Sequence, residues 1–405
     1  MTTGMTAVTN NAMANKHKNH SPDSSIENAA LRHAGSILNI DLGALQKNWR
    51  AYQAMVSKSK NCVAGAVIKA GGYGLDARHV GVALGVAGCK TFFVASIDEG
   101  IELRSVMGGG NDVEIFILGC PIAGNEHDLA HYALSPVLNS MEDISVWKKF
   151  SDSSGLNAPA ALHIDSGMNR LGIGAVDVAA IAKNPDLLSG INLSLVMSHL
   201  ACSDDEKNPM NQEQLASFKT AISSIGGLAG VRASISNSSG VFLGPEYHME
   251  MARPGVGLYG VNPTPEKANP MAQVVRLQAK ILQVREIDTP QSVGYGATHK
   301  ADGVERIATI AAGYADGILR SLSNNGVAYV GEYPAPYVGR VSMDLITINV
   351  SAVPENIAHA GALVDLIGPN NPVDDMAARA GTIGYEILTN LGSRYGRVYT
   401  GGTDK

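Results

Sequence analysis

From Ile37 onward, short apolar runs recur between turn-forming residues, spaced roughly 20 to 40 residues apart. They are AGAVI at Ala64, FFVASI at Phe92, VEIFILG at Val113, SPVLN at Ser135, ALHID at Ala161, LSLVMSHL at Leu193, VRASIS at Val231 and HMEMAR at His248. A run that is apolar throughout reads as a strand covered on both faces, the pattern of parallel sheets. The intervals carry apolar residues on a helical period, as in LGALQKNWRAYQAMVS and NQEQLASFKTAISSI. Eight strands alternating with helices predict an α/β chain with a (β/α)8 barrel of the TIM type, with a doubly wound open sheet as the competing topology.

After Tyr259 the pattern changes. VVRLQAKILQVREI, RIATIAA, VAYVGE, APYVGRVS, LITINV and ALVDLIG follow one another closely, with no long helical interval. This predicts a mostly β C-terminal domain. The prolines and polar residues of NPTPEKAN, Asn262 to Asn269, mark the junction. The expected organisation is a disordered N-terminal arm over 1–35, a barrel over 36–262 and the β domain over 263–405.

Composition narrows the picture. A chain of 405 residues, 45% of them hydrophobic, exceeds what one ordinary domain needs. The net charge of −6, with no basic block beyond a short KHK at Lys16, gives nucleic-acid binding no electrostatic footprint. Cys62, Cys89, Cys120 and Cys202 show neither CxxC spacing nor the density of a disulfide framework and read as buried reduced thiols. The first 35 residues are polar, Asn- and Ser-rich and lack a secretory apolar core, and no run approaches a membrane span; the expectation is a cytoplasmic protein without membrane contact.

The unusual polar residues fall at strand ends. Lys69 closes AGAVI, Asp165 and Arg170 follow ALHI, His199 closes LSLVMSH, Asn237 and Ser238 follow ASIS, and Arg253 follows HMEMA. The C-terminal ends of barrel strands are where barrel enzymes carry their chemistry. Taken singly, each has a plainer reading: Lys69 as a snorkelling lysine, His199 as a satisfied core histidine, Arg170 as an ion-pair partner of Asp165, SISNSSG as turn chemistry. Their convergence argues otherwise. Serine hydroxyls followed by the glycines of RPGVG make a phosphate cradle, since small residues let backbone N–H groups approach an anion. A phosphate held opposite a lysine points to pyridoxal phosphate, whose aldehyde needs an amine.

With these residues in place, the chain resembles the alanine racemases, fold-type III pyridoxal-phosphate enzymes. VIKAGGYG, IDSGMNRLGI, MSHLACSDD, SNSSG, ARPGVGLYG, VGYGATH, TIAAGYADGILRSLS, GRVSMDLITINV and GTIGYEILTNLG carry the likeness from about Leu38 to Tyr399. The resemblance implies interconversion of L- and D-alanine, supplying D-alanine for peptidoglycan, with pyridoxal 5'-phosphate bound covalently to Lys69. Lys69 would be one catalytic base. Tyr295 would be the other, contributed with Met343 across the interface of a homodimer. Racemisation removes a proton from one face of the α-carbon and returns one to the opposite face, so two opposed bases suffice. An ordinary phenol is a poor base at pH 7, and the resemblance places His199 beside Tyr295 with Arg253 behind it.

Arg253 would also face the pyridine nitrogen, leaving it largely unprotonated and discouraging side reactions. For the phosphate and its surroundings the likeness assigns Tyr73, Asn237, Ser238, the amides of Gly255 and Val256, and Tyr385. For the substrate carboxylate it assigns Arg170 and the Met343 amide, with Asp344 alongside. No metal ligand set is implied.

Three departures from the family pattern stand out. His163 occupies a position where the family commonly has a lysine, often carbamylated, that orients the arginine. A histidine there bonds Arg170 only if neutral or through water. Gly71 and Gly72 replace side chains after the lysine, and Ser342 stands where cysteine is frequent. The alternatives are a racemase of broader amino-acid range, a basic amino-acid decarboxylase, disfavoured by the missing cysteine before Met343, and a non-catalytic pyridoxal-phosphate protein, which would have little use for the second domain.

Overall fold

The computed structural model describes residues 31–59, 61–107, 112–119 and 121–402. The first strand, β1 (Ser36–Asp41), is followed by a helix over Leu42–Val56, capped by Asp41, whose side chain accepts from the Ala44 amide at 2.9 Å. The barrel strands then follow: β2 (Val63–Ala64), β3 (Ala66–Val67), β4 (Thr91–Val94), β5 (Glu114–Ile117), β6 (Ser135–Leu138), β7 (Pro159–His163), β8 (Asn192–Met197), β9 (Arg232–Ser234) and β10 (Met251–Ala252). Strands β3 to β9 form a parallel sheet in sequence order.

The run expected as one strand from Ala64 to Ile68 is split at Gly65. A side chain at Gly65 would meet Phe93 at 3.0 Å and the Thr91 carbonyl at 3.1 Å. The split lets one strand serve two neighbours: β2 pairs with β10 and β3 with β4. Bonds from Glu250 N to Ala233 O (3.1 Å) and Arg253 N to Ser236 O (2.9 Å) join β10 to the β9 segment, and the ring is closed. The barrel is therefore eight-stranded, as the pattern predicted. Phe93, Phe116, Val137, Ala161, Leu195, Met197 and Met251 fill its interior, each from an alternating position of a different strand or two steps apart on β8. At its N-terminal end Arg232, at the start of β9, forks onto Glu114, at the start of β5, at 2.6 and 2.9 Å.

The second domain is β11 (Val275–Ile287), β12 (Ser292–Val293), β13 (His299–Lys300), β14 (Glu305–Ile310), β15 (Val327–Val330), β16 (Tyr333–Pro336), β17 (Ile346–Asn349), β18 (Leu363–Ile367) and β19 (Gly396–Thr400), with helices over Val373–Ala380 and Gly384–Thr389. The sheet order is β16-β15-β18-β11-β1-β19, with β14 and β17 continuing from the long β11. One expectation is corrected here. Residues 36–41 do not begin the barrel: β1 lies between β11 and β19 in the second domain's sheet. Its alternation, with Leu38 and Ile40 fully buried, suits that sheet's one apolar face.

Most of the arm expected to be disordered lies outside the described residues. Its last part, 31–35, is placed: 31–33 are helical, and Lys280 Nζ bonds the carbonyls of Leu31 and Arg32 at 3.3 and 2.9 Å. Cys62 and Cys89 are buried free thiols, raised by burial to about 11 and about 12; Cys202 is half-buried, and Cys120 lies outside the described residues. No helix among the described residues is long and apolar enough to cross a membrane.

Candidate active site

A cavity of about 470 Å³ opens at the C-terminal mouth of the barrel, within the size range of small-molecule sites. Of the strand-end residues that the sequence singles out, Lys69, Arg170, His199, Asn237, Ser238 and Arg253 line it and Asp165 does not. Lys69 sits just beyond β3, and its Nζ has no hydrogen-bond or ion-pair partner among the described residues. Partial burial, reinforced by the Arg170 charge and opposed by Glu99, lowers its pKa. A desolvated amine more readily present as free base is a better nucleophile toward a carbonyl.

The chain leaves Lys69 in an uncommon way. Ala70, Gly71, Gly72 and Tyr73 have φ of 54, 59, 67 and 55°, one turn of left-handed helix. Ala70 and Tyr73 carry Cβ atoms there, at a cost of about 1–2 kcal/mol each. At Gly72 an added Cβ would meet Ala77 backbone at 3.1 Å, so glycine serves both conformation and space. The turn aims Tyr73 back over the cavity floor, stacked on Tyr259 with centroids 4.5 Å apart.

Opposite Lys69, Ser238 Oγ accepts the amides of Gly255 and Gly257 at 2.8 and 3.2 Å. A Cβ at Gly255 would stand 2.5 Å from the Tyr73 hydroxyl, so glycine is what lets the phenol approach this backbone. Val256, also lining the cavity, begins a short helical turn over Val256–Tyr259. Two phenols, one hydroxyl and backbone amides gathered around small residues suit a phosphate. Burial raises Tyr73 above the ordinary phenol range and Tyr385 to about 12, so both stay protonated donors. Asn237 lines the same wall, with its side-chain oxygen accepting from Ser203 Oγ and Gly240 N, both at 2.8 Å; it shapes the serine loop.

Arg253 is fully enclosed, donating to Ser234 Oγ and the Ser198 carbonyl, with its guanidinium 5.9 Å from the Phe93 ring centroid. Burial pulls its pKa down to about 9, which leaves it cationic at neutral pH. It also donates to His199 Nδ1 at 3.5 Å. Guanidinium only donates, so His199 Nδ1 is bare and Nε2 carries the hydrogen. Burial and then Arg253 press His199 down to about 3, fixing it neutral.

His163 is fixed in the same manner. Asn139 Nδ2 donates to the carbonyls of Leu118 (3.2 Å) and Val137 (2.9 Å), which turns its oxygen toward His163 Nδ1 at 2.7 Å. Nδ1 therefore bears the hydrogen and Nε2 is an acceptor. Burial, then Arg253, lowers His163 to about 4. The condition set by the sequence, a neutral histidine, is met. Arg170 lines the same cavity with its guanidinium unpaired among the described residues. The plain alternative for it fails: Asp165 instead accepts the amides of Gly167, Met168 and Asn169 at 2.9, 2.9 and 3.1 Å.

The remaining candidates lie elsewhere. Tyr295 stands 72% exposed on the second domain, in a depression shared with Arg340, Ser342 and Leu345. Met343 is 53% exposed, with its carbonyl accepting from Ala315 N at 3.0 Å. Asp344 pairs with Arg394 at 2.7 Å, and Arg394 also holds Asp316 at 3.1 Å. Within one chain none of the three lines the Lys69 cavity. Tyr385 does, because the Gly384–Thr389 helix packs on the Lys69 turn so closely that a Cβ at Gly74 would stand 2.3 Å from the Leu388 carbonyl. Sequence reasoning missed Asn139 and Glu99. Asn139 closes SPVLN, so the strand-end signal was present; Glu99 sits inside a helical segment and gave none.

Comparison with known proteins agrees with this geometry. Residues 40–263 match the model of the alanine racemase N-terminal domain and residues 274–399 that of the C-terminal domain. The chain belongs to the alanine racemase family. It is 50% identical to the alanine racemase of Rhodospirillum rubrum over 368 residues, covering 91% of this chain and 96% of that protein. With a catabolic alanine racemase of Mesorhizobium japonicum it shares 45% identity over 369 residues, 91% of this chain and 94% of the relative. The crystal structure of the Bartonella henselae alanine racemase with covalently bound pyridoxal phosphate superposes with a TM-score of 0.85 at 36% identity, over 91% of this chain and all of that one.

Proposed function

We propose that this chain is an alanine racemase that interconverts L- and D-alanine with pyridoxal 5'-phosphate, as a homodimer with two bases at each site. The observation that carries this reading is the unpartnered Lys69 amine facing a cradle of Tyr73, Ser238, Gly255 and Val256, with two neutral histidines and two arginines around it. When bound, the cofactor takes up the electrons left on the α-carbon as its proton departs. Lys69 holds the cofactor and works on one face of that carbon. Arg170 takes the substrate carboxylate, with His163 Nε2 as an acceptor beside it. Arg253, a donor-only group, would face the ring nitrogen of the bound cofactor and leave it unprotonated.

The opposite face needs a second base, and the exposed Tyr295 supplies it from a partner copy. Tyr295, Leu345 and Met343 share one exposed face with Tyr314, whose amide donates to Ser342 O at 3.0 Å. Docked over the cavity of a second copy, this face brings Tyr295 to the Nε2 hydrogen of His199, which stabilises a phenolate. It also brings the Met343 amide, unbonded among the described residues, toward the carboxylate. Exposed apolar side chains grouped in this way are the usual mark of an interface.

The test uses two variants. Lys69→Ala and Tyr295→Phe homodimers are each inactive with L-alanine, and dissociating and reassociating their mixture restores roughly a quarter of wild-type activity, since half the dimers pair one intact site with one doubly altered site. No recovery on mixing overturns contribution across the interface. L-Serine, L-arginine and L-lysine assayed beside L-alanine decide breadth: faster turnover of these makes the chain a broad-range racemase. The cellular role we assign is cytoplasmic D-alanine supply for peptidoglycan, and a strain lacking the gene then needs added D-alanine. Unaffected growth would point instead to the catabolic use named for the Mesorhizobium relative.

A further inference from the structure

The left-handed turn after Lys69 needs something to hold it, because two of its residues are not glycine. The Glu99 carboxylate is placed to do so. Glu99 lies in the first turn of the helix over Ile97–Met107, just past β4. Its Oε1 accepts the Ala70 amide at 2.6 Å and lies 3.4 Å from that of Gly71; its Oε2 accepts the Ala95 amide at 2.7 Å. Among the described residues it pairs with no cation. Each oxygen thus faces a backbone donor from a different loop, a demand that only an acceptor on both sides can meet. A glutamine satisfies one loop and sets its NH2 group against the other's N–H.

We propose that Glu99 is a positioning residue for Lys69, tying the left-handed turn to the end of β4 and so fixing how far the Lys69 amine reaches into the cavity. The inference rests on the assignment of Lys69 as the cofactor-bearing amine. Glu99 also carries a negative charge that acts on that amine, against the positive Arg170; neutral His163 and His199, protonated Tyr73 and Tyr385 and cationic Arg253 line the same cavity, and Glu386 lies with Lys69 in the depression beside it. The clamp explains the local sequence. Strain at Ala70 persists only where surrounding bonds over-determine it, and here the bond falls on Ala70 itself.

The full chain is prepared as Glu99→Gln, Glu99→Asp, Ala70→Gly, Glu99→Gln with Ala70→Gly, and Lys69→Ala. Each is checked for folding by circular dichroism. The readouts are the rate at which loaded protein gives up pyridoxal phosphate to a hydrazine trap and the pH midpoint at which apoprotein takes it up. Glu99→Gln releases the cofactor roughly tenfold faster, the loss expected for a charge-assisted bond left unmade. Its uptake midpoint moves to lower pH, because the charge that raised the Lys69 pKa is gone.

Adding Ala70→Gly slows release again toward wild type, since glycine adopts the left-handed conformation unaided. That rescue is one a general packing defect would not show. Glu99→Asp, which keeps the charge but is too short to span both loops, releases faster with an unchanged midpoint, and it serves if the glutamine variant does not fold. Release and midpoint equal to wild type in folded Glu99 variants, or a loss that Ala70→Gly does not relieve, overturns the proposal. Covalent cofactor persisting in Lys69→Ala overturns the Lys69 assignment instead; its disappearance there, with unaltered Glu99 variants, removes the clamp alone.

Discussion

The mouth of the barrel and the Tyr295 face of the second domain carry the same kinds of residue in opposite surroundings. In the cavity, His163 and Arg253 are buried and Lys69 and His199 half-buried, and loss of water is the first cause of every downward shift in their pKa values. Protonation and tautomer there are decided by bonds within one chain, such as Asn139 to His163 and Arg253 to His199. Tyr295 and Met343 stand in water, on loops braced by backbone bonds and by Arg394. The contrast teaches that the folding of one chain tunes the groups around Lys69 and leaves Tyr295 and Met343 untuned at the surface; under the reading proposed above, a second copy would supply what that exposed face lacks. Desolvation is the tool that tunes these groups, and the exposed face has none until it is covered.

The largest way to break the comparison is to remove the base inside the cavity. Lys69→Ala should lower racemisation on the order of 10⁴-fold and abolish covalent cofactor, measured by chiral separation of alanine and by absorbance of the bound chromophore. If activity survives, the cavity is not the site. Tyr295→Phe should cost on the order of 10³-fold in racemisation while one enantiomer still exchanges its α-proton with deuterated solvent, because Lys69 remains. Equal loss of exchange for both enantiomers would mean that Tyr295 is not a face-specific base. Arg170→Ala should raise KM for alanine roughly tenfold or more through loss of a charged bond to the carboxylate.

Smaller effects sharpen the contrast. His163 has a folded pKa of about 4 against an ordinary 6.5, so the unfolded chain binds its proton first as pH falls. Its contribution is fully present above pH 6.5 and is lost between 6.5 and about 4. In urea melts of the apoprotein, His163→Gln should therefore lose less stability than wild type between pH 7 and pH 5. His199, held down to about 3, adds the same sign of dependence. Asp344→Asn, at the exposed Arg394 pair, should leave the urea midpoint almost unchanged, since exposed ion pairs contribute little. A large destabilisation there would mean that the exposed face is as pre-organised as the cavity.

Much of this was legible in sequence. The apolar runs marked the barrel strands, and polar residues at the ends of several of them, Lys69, His199, Asn237, Ser238 and Arg253, marked the cavity, because a parallel barrel buries both faces of its strands and frees only their ends. Two elements defied that reading. β1 looks like a first barrel strand by position, yet pairs with β11 and β19, partners far away in sequence. Glu99 looks like one more helical surface charge beside Asp98, and only the fold brings the Lys69 turn onto it.

By itself the sequence determined the two-domain α/β plan, the family, and which side chains crowd one end of the barrel, since these follow from periodicity and from local motifs such as VIKAGGYG. The tertiary structure alone decided what those side chains are. It made His163 and His199 neutral with opposite tautomers, lowered Lys69, held Ala70 in a left-handed turn through Glu99, and set Tyr295 apart from the cavity of its own chain. The reason is physical: periodicity is written along the chain, whereas desolvation and hydrogen-bond partners come from segments that meet only on folding.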